Sequence, residues 1–232
     1  MVKEYNSNLL KRSITALFLL IPVVTIIIIE NFFIFSLLIT IFCLLAFMEW
    51  IKNNFRHPIK WGFALIFLYF WLNIILIIGI FSSNPVLPFF ENLNASKITI
   101  SVFYLFFITI CNTGIFDTFA YIFGSNFGRN PISPVISPNK TWEGLFGGLL
   151  MNCIFALLVC NFFQISYLLI LVFCTGGLLA FFGDLLISFH KRENNIKDTG
   201  NFLPGHGGVL DRMDSHLLAT PVILVLSIFL SS

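Results

Sequence analysis

The sequence predicts an all-α, polytopic transmembrane protein of about seven spans, six to nine at the extremes, with its N-terminus in the cytoplasm. Three observations carry that prediction. The 232 residues are 58% hydrophobic and only 10% charged, with 30 phenylalanines, against roughly 25% charged residues in soluble domains. Mean hydropathy is +0.94. Apolar runs that approach the ~20 residues a bilayer-crossing helix needs recur along the whole chain, and basic residues gather in alternate connections between them, as cytoplasmic loops require.

Residues 1–12 are polar and end in Lys11-Arg12. The apolar run behind them lacks a small-residue cleavage site, so the segment reads as an anchor and not a cleaved signal peptide. Spans are expected at 13–29, 32–50, 61–82, 99–123, 142–163, 165–187 and 215–231. Lys3, Lys11 and Arg12 precede the first, and Lys52, Arg56 and Lys60 follow the second. Arg129 and Lys140 follow the fourth, and Lys191, Arg192, Lys197 and Arg212 follow the sixth. The opposite connections hold only Glu30, Glu91 and Lys97, which places the polar loops at 124–141 and 188–214 in the cytoplasm. The turns near Glu30 and Phe163 and the short last span are where a re-entrant or interfacial segment would replace a crossing. The chain reads as one integral membrane domain, 1–232, with N-terminal spans over about 13–123 and a catalytic half over about 112–232.

A net charge of +2 argues against nucleic acid as a partner. The five cysteines, Cys43, Cys111, Cys153, Cys160 and Cys174, lie in apolar runs without CxxC spacing or histidine partners, and so suggest neither a disulfide framework nor a zinc site.

Ionisable residues at membrane depth cost several kcal/mol each unless paired or hydrated, which makes them candidates for function. Asp117, Glu143 and Asp184 stand out. In Ser137-Pro138-Asn139-Lys140-Thr141-Trp142-Glu143-Gly144, Pro138 excludes earlier helix, and Asn139 or Thr141 can cap the fifth span. Lys140 then sits beside a helix N-terminus, where free amides favour an anion such as phosphate. Gly144 and Gly148 form a GxxxG pair suited to close helix packing.

The densest signal is the stretch from Asp184 to Asp214, which holds nine of the 24 charged residues. Asp211 and Asp214, three apart, share a face if the last helix begins near them, with Arg212 turned elsewhere. With Asp184 they form an oxygen-rich set suited to Mg²⁺ and phosphate, whereas zinc or copper would call for cysteine or clustered histidine. Gly205, Gly207 and Gly208 free the backbone to approach a bulky anion. Lys191, Arg192, Lys197 and Arg212 are available to neutralise phosphates. His206 and His190 suit either proton transfer or a structural hydrogen bond, and His57 and His216 read as structural.

At these residues the sequence resembles the phosphatidate cytidylyltransferase (CDP-diacylglycerol synthase) family. That family's signature is serine, two residues, Lys-Arg, four residues, Lys-Asp, then PGHGG and Asp-Arg-hydrophobic-Asp. Here it runs from Ser188 to Asp214 as SFHKRENNIKDTGNFLPGHGGVLDRMD, through Lys197-Asp198 with the spacing intact. Asp117 to Tyr121 with Gly124 and Gly128-Arg129, and Ser137 to Gly144, also resemble family blocks, while the first ~100 residues agree only in being apolar. His190 stands where a hydrophobic residue is usual, and Asn139 replaces a common lysine. The resemblance implies that CTP and phosphatidate give CDP-diacylglycerol and pyrophosphate at the cytoplasmic face of the plasma (bacterial inner) membrane. It implies Mg²⁺ held by Asp184, Asp211 and Asp214, with a second cation such as K⁺. Lys140, Lys191, Arg192, Lys197 and Asp198 join those aspartates as catalytic candidates. Asp117, Ser137, Glu143, Ser188, Gly205, His206, Gly207, Gly208 and Arg212 are candidates for substrate binding. Membrane lipid and a second copy of the chain, paired through the glycine faces, are the expected partners. The rival activities are a CTP-dependent polyprenol or phytol kinase and an ion-coupled transporter.

Overall fold

The computed structural model describes residues 21, 24–25, 28–71, 102–200 and 207–231. Its elements are α1 (Phe32–Lys52), α2 (Pro58–Trp71, opening with a π turn at Pro58–Phe63), α3 (Val102–Phe127), strands β1 (Pro131–Ser133) and β2 (Ser137–Thr141), α4 (Trp142–Phe163), α5 (Leu169–Glu193) and α6 (Leu210–Ser231). Among the described residues four helices, α1, α3, α4 and α5, are long and apolar enough to cross a membrane. They stand where spans two, four, five and six are expected. The first expected span and 72–82 of the third fall largely or wholly outside the described residues. The expected last span is helical in α6, but Asp211, Arg212 and Asp214 occupy its first turns.

Two expectations need correcting. The loop over 124–141 is not irregular: α3 runs to Phe127, and an antiparallel hairpin follows, pairing Pro131 with Thr141 and Ser133 with Ser137. Among the described residues the fold is therefore helical with one small β hairpin. Likewise α5 continues to Glu193, so Ser188, His190, Lys191 and Arg192 lie on its last turns, not in a loop. Its two terminal cations, Lys191 and Arg192, suit the negative end of a helix dipole.

Local chemistry sets the boundaries. Asn31 caps α1, its side chain accepting from the Phe33 and Ile34 amides at 2.8 and 3.3 Å. Thr141 caps α4, accepting from the Gly144 amide at 3.1 Å. Gln164 ends α4 in the left-handed region at φ 56°.

The four candidate spans are apolar over most of their surface, as membrane spans are. On α1 one face buries Phe35, Ile39, Cys43, Ala46 and Trp50, while Phe33, Leu37, Leu44 and Met48 are exposed where lipid would lie. Packing between helices therefore depends on close approach and on polar bonds. A Cβ at Gly144 would lie 2.6 Å from the Ala120 carbonyl, so this half of the GxxxG pair admits α3 against α4. Asn112 of α3 and Asn152 of α4 both donate to the Phe173 carbonyl of α5, at 3.1 and 3.4 Å. α5 packs most extensively on α6, and α3 on α4.

Candidate active site

The polar ends of α3, α5 and α6, with β2 and the start of α4, enclose a cavity of about 340 Å³. Its lining includes Asp117, Ser137, Lys140, Asp184, Asp211, Arg212 and Asp214. Three elements deliver the four carboxylates: Asp117 comes from α3, Asp184 from α5, and Asp211 and Asp214 from the first turns of α6. Gly183 allows this: a Cβ there would collide with the Asp214 carbonyl, so its absence lets α6 press against α5 beside Asp184. Asp211 and Asp214 share the pocket face as their spacing predicts. Arg212, expected to turn away, lines the pocket with them.

Two lysine–aspartate pairs organise the site. Lys140, carried on β2, meets Asp184 Oδ2 at 2.6 Å, and Ser188 donates to Asp184 Oδ1 at 3.0 Å. The Lys140 ammonium is buried 5.0 Å from the centre of the Phe181 ring. An ammonium has three donors, so with Asp184 as its one anionic partner among the described residues it keeps donor capacity for a phosphate.

Asp211 is more fully engaged. Lys191 donates to its Oδ1 at 2.8 Å, while Oδ2 accepts from the Thr199 amide at 2.7 Å, the Thr199 hydroxyl at 3.0 Å and the Gly208 amide at 3.0 Å. Burial pushes this carboxyl up, but Lys191 and the Gly208 and Thr199 amides more than offset it and hold it below the usual carboxylate range. Gly207 adopts φ +81°, and a Cβ there would lie 2.8 Å from Asp211 Oδ2, so a side chain is excluded on both counts.

Of the other described candidates, Lys191 and Ser188 stand behind the lining, bonded to Asp211 and Asp184, and Glu143, Arg192, Lys197 and Asp198 also lie outside it. Glu143 is bonded to the Asn130 side chain at 2.8 Å and braces the hairpin on α4. Arg192 donates to the Ile136 and Ile196 carbonyls at 3.2 and 2.9 Å and ties the hairpin tip to the chain after α5. Lys197 and Asp198 are exposed, Asp198 beside Gly207. Gly205 and His206 fall outside the described residues.

Among the described residues no three His, Cys, Asp or Glu side chains already converge as a metal cage. The donor set nevertheless fits Mg²⁺, which takes one or two carboxylates and completes its shell with water and phosphate oxygens. Every acidic group on the wall supplies oxygen alone, and Asp211 Oδ1 retains acceptor capacity beyond Lys191.

Sequence reasoning missed Glu49 and Thr199. Glu49, near the end of α1, is buried, and its carboxylate accepts from the Thr199 hydroxyl and the Val209 and Leu210 amides at 2.8–2.9 Å. The rule that singles out Asp117, an ionisable group in an apolar helix, applies equally to Glu49.

Residues 61–230 match the model of the cytidylyltransferase family. The chain is 40% identical over 136 residues to a phosphatidate cytidylyltransferase of Rickettsia conorii, covering 55% of this chain and 59% of that protein. It is 44% identical over 115 residues to one of Staphylococcus epidermidis, covering 48% of this chain and 44% of that protein. A phosphatidate cytidylyltransferase of Rickettsia typhi is 42% identical over 123 residues, 49% of this chain and 54% of its own length. The chain thus spans about half the length of the curated relatives it matches.

Proposed function

The chain belongs to the cytidylyltransferase family, and from that premise we propose that it is a phosphatidate cytidylyltransferase, joining CTP and phosphatidate into CDP-diacylglycerol with release of pyrophosphate. The observation that carries the reading is the pocket itself: four aspartates and a buried lysine with donor capacity to spare, at the polar ends of helices whose outer faces suit lipid.

A phosphate oxygen of the lipid attacks the α-phosphorus of CTP. That P–O bond forms as the bond from the α-phosphorus to the bridging oxygen breaks, and pyrophosphate leaves with the electron pair. The phosphate monoester is already largely anionic at neutral pH, so the protein's task is positioning and charge neutralisation. Lys140 offers its remaining donors to phosphate oxygens, and Arg212 adds a second cation on the same wall. Lys191 holds Asp211 in place. Asp184, Asp211 and Asp214 would hold Mg²⁺, joined by a second cation such as K⁺, which would supply neutralisation of triphosphate charge. Asp117 forms the far wall, with the Ser215 side chain as a hydrogen-bond partner.

The acyl chains lie in the bilayer against the apolar helices while the headgroup reaches the pocket. The pocket faces the cytoplasm of a plasma membrane and the chain crosses about seven times, which the alternation of basic loops supports; Gly144 and Gly148 pack on α3 of the same chain, so their spacing does not speak for pairing of two copies.

Incubating the purified protein with labelled CTP and phosphatidate tests the activity. CDP-lipid and pyrophosphate are expected. Phosphorylated lipid with free CDP would reassign the protein as a lipid kinase, and substrate uptake by proteoliposomes without CTP turnover would make it a transporter.

A further inference from the structure

We propose that Glu49, on α1 and far in sequence from every motif of the pocket, is a positioning residue for nucleotidyl transfer. It holds Thr199 and the start of α6 at Val209 and Leu210 in place and so aims Asp211. The inference rests on the phosphatidate cytidylyltransferase reading.

Four amides near the start of α6 are divided between two carboxylates. Asp211 takes those of Thr199 and Gly208, and Glu49 takes those of Val209 and Leu210, at 2.9 and 2.8 Å. The first amides of a helix have no partner inside it, and neither Gly208 nor Val209 has a side chain able to cap. The helix is instead capped from 160 residues away in sequence. Thr199 links the two acids: its hydroxyl lies 2.9 Å from Glu49 Oε2 and 3.0 Å from Asp211 Oδ2. One hydroxyl has one proton to donate, so moving either carboxylate alters the support of the other.

The glycines support the same role. A Cβ at Gly208 would collide with the Glu49 carboxylate and the Thr199 hydroxyl, and one at Gly200 would lie 2.8 Å from Glu49 Oε1. The anion that lies against the backbone at Gly208 is the Glu49 carboxylate. One turn further along α1, Asn53 donates to the Thr199 carbonyl at 2.6 Å, a second clamp on the same residue. The N-terminal spans thus reach the active site through the end of one helix.

Glutamine at position 49 keeps the shape but must turn an NH₂ toward a donor, because both carboxylate oxygens accept. The test compares the full chain in detergent as wild type, Glu49→Gln, Thr199→Val and the double variant. The readouts are Tm, the rise in Tm on adding CTP with Mg²⁺, and kcat and KM for both substrates. The expected result for Glu49→Gln is kcat lowered about tenfold to a hundredfold, as small displacements of a reacting group produce, with KM for phosphatidate within about twofold. The CTP-induced rise in Tm should shrink in step. The double variant should be no slower than the slower single variant, because both changes break one linkage. A wild-type kcat in Glu49→Gln, or losses that multiply in the double variant, would overturn the proposal. Should Glu49→Gln fail to fold, Thr199→Val decides: lowered kcat at unchanged phosphatidate KM supports the linkage, and unchanged kcat ends it. Wild-type protein that makes no CDP-lipid would instead refute the underlying activity.

Discussion

The two walls of the pocket each carry a lysine–aspartate pair, and the pairs are built for different work. Where β2 meets α5, Lys140 and Asp184 are 16% and 30% exposed, and the lysine has donors to spare. Where α5 meets α6, Lys191 and Asp211 are 11% and 5% exposed, and Lys191, two backbone amides and a Thr199 hydroxyl shared with Glu49 converge on the aspartate. The first wall can exchange its partner for a ligand. The second cannot release a donor without stranding a buried group, so it serves as the frame against which the first wall works.

Replacing the aspartates gives the largest expected effects and tests that division directly. Asp184→Asn and Asp211→Asn should each lower CTP turnover by about a hundredfold or more, as removal of a preorganised charge from a phosphoryl site does. Their stabilities should part company. Asp211→Asn strands the Lys191 charge and sets an NH₂ against the loop amides, a loss of about 3–5 kcal/mol. Asp184→Asn leaves the buried Lys140 ammonium without its carboxylate, but at a pair whose acid is 30% exposed and opens on the pocket, and should cost less, about 1–3 kcal/mol. Turnover and thermal unfolding on the same preparations provide the check, and equal destabilisation by the two variants would erase the distinction between the walls.

The lysines sharpen the comparison at a smaller scale. Lys191→Met leaves Asp211 buried without its cation and should lower Tm markedly, whereas Lys140→Met should leave Tm near wild type and raise KM for CTP about tenfold, the loss of one charge-assisted contact. Acid adds a second reading of the same pair. Because Asp211 is held below the usual carboxylate range, its contribution to stability is complete above about pH 4 and is lost as pH falls through its lowered native value. Lys191→Met removes part of that lowering, so its Tm should fall at a higher pH than that of wild type. Coincident Tm–pH curves would show that the amides alone hold the carboxylate.

Much of the site was legible because its residues keep short-range order. Asp184, Lys191, Asp211 and Asp214 lie within 31 positions, and the three-residue step from Asp211 to Asp214 needed only a helix start to bring both to one face. Lys140 was legible for its place ahead of a helix start, although its partner Asp184 was not. Roles that depend on long-range contacts stayed hidden. Arg192 reads as a phosphate ligand in a loop, but a helix that continues to Glu193 turns it to the Ile136 and Ile196 carbonyls. Glu143, an acid in the first turn of α4, bonds to Asn130 because the hairpin folds back onto it. Glu49 had no motif around it, and its partners lie 150 to 161 positions later.

A third ion pair provides the control with the smallest expected effect. Arg56 and Glu193 meet at 3.2 Å outside the pocket, joining the turn after α1 to the end of α5. Arg56 is 72% exposed and its partner 19%, so solvent screens the attraction, and ordering a long side chain offsets part of what remains. Arg56→Met should shift stability by about 1 kcal/mol or less and leave kcat unchanged, as measured by thermal unfolding and CTP turnover. The same junction is held from within by Glu49 on the loop amides, by Asn53 on Thr199 and by Trp50 against His190, their rings 5.0 Å apart. A large loss of activity in Arg56→Met would mean that this exposed pair, and not the buried carboxylate, fixes α1 against the catalytic loop. An unchanged kcat beside a slowed Glu49→Gln assigns that task to the buried contact, where low solvent access makes each donor count for more.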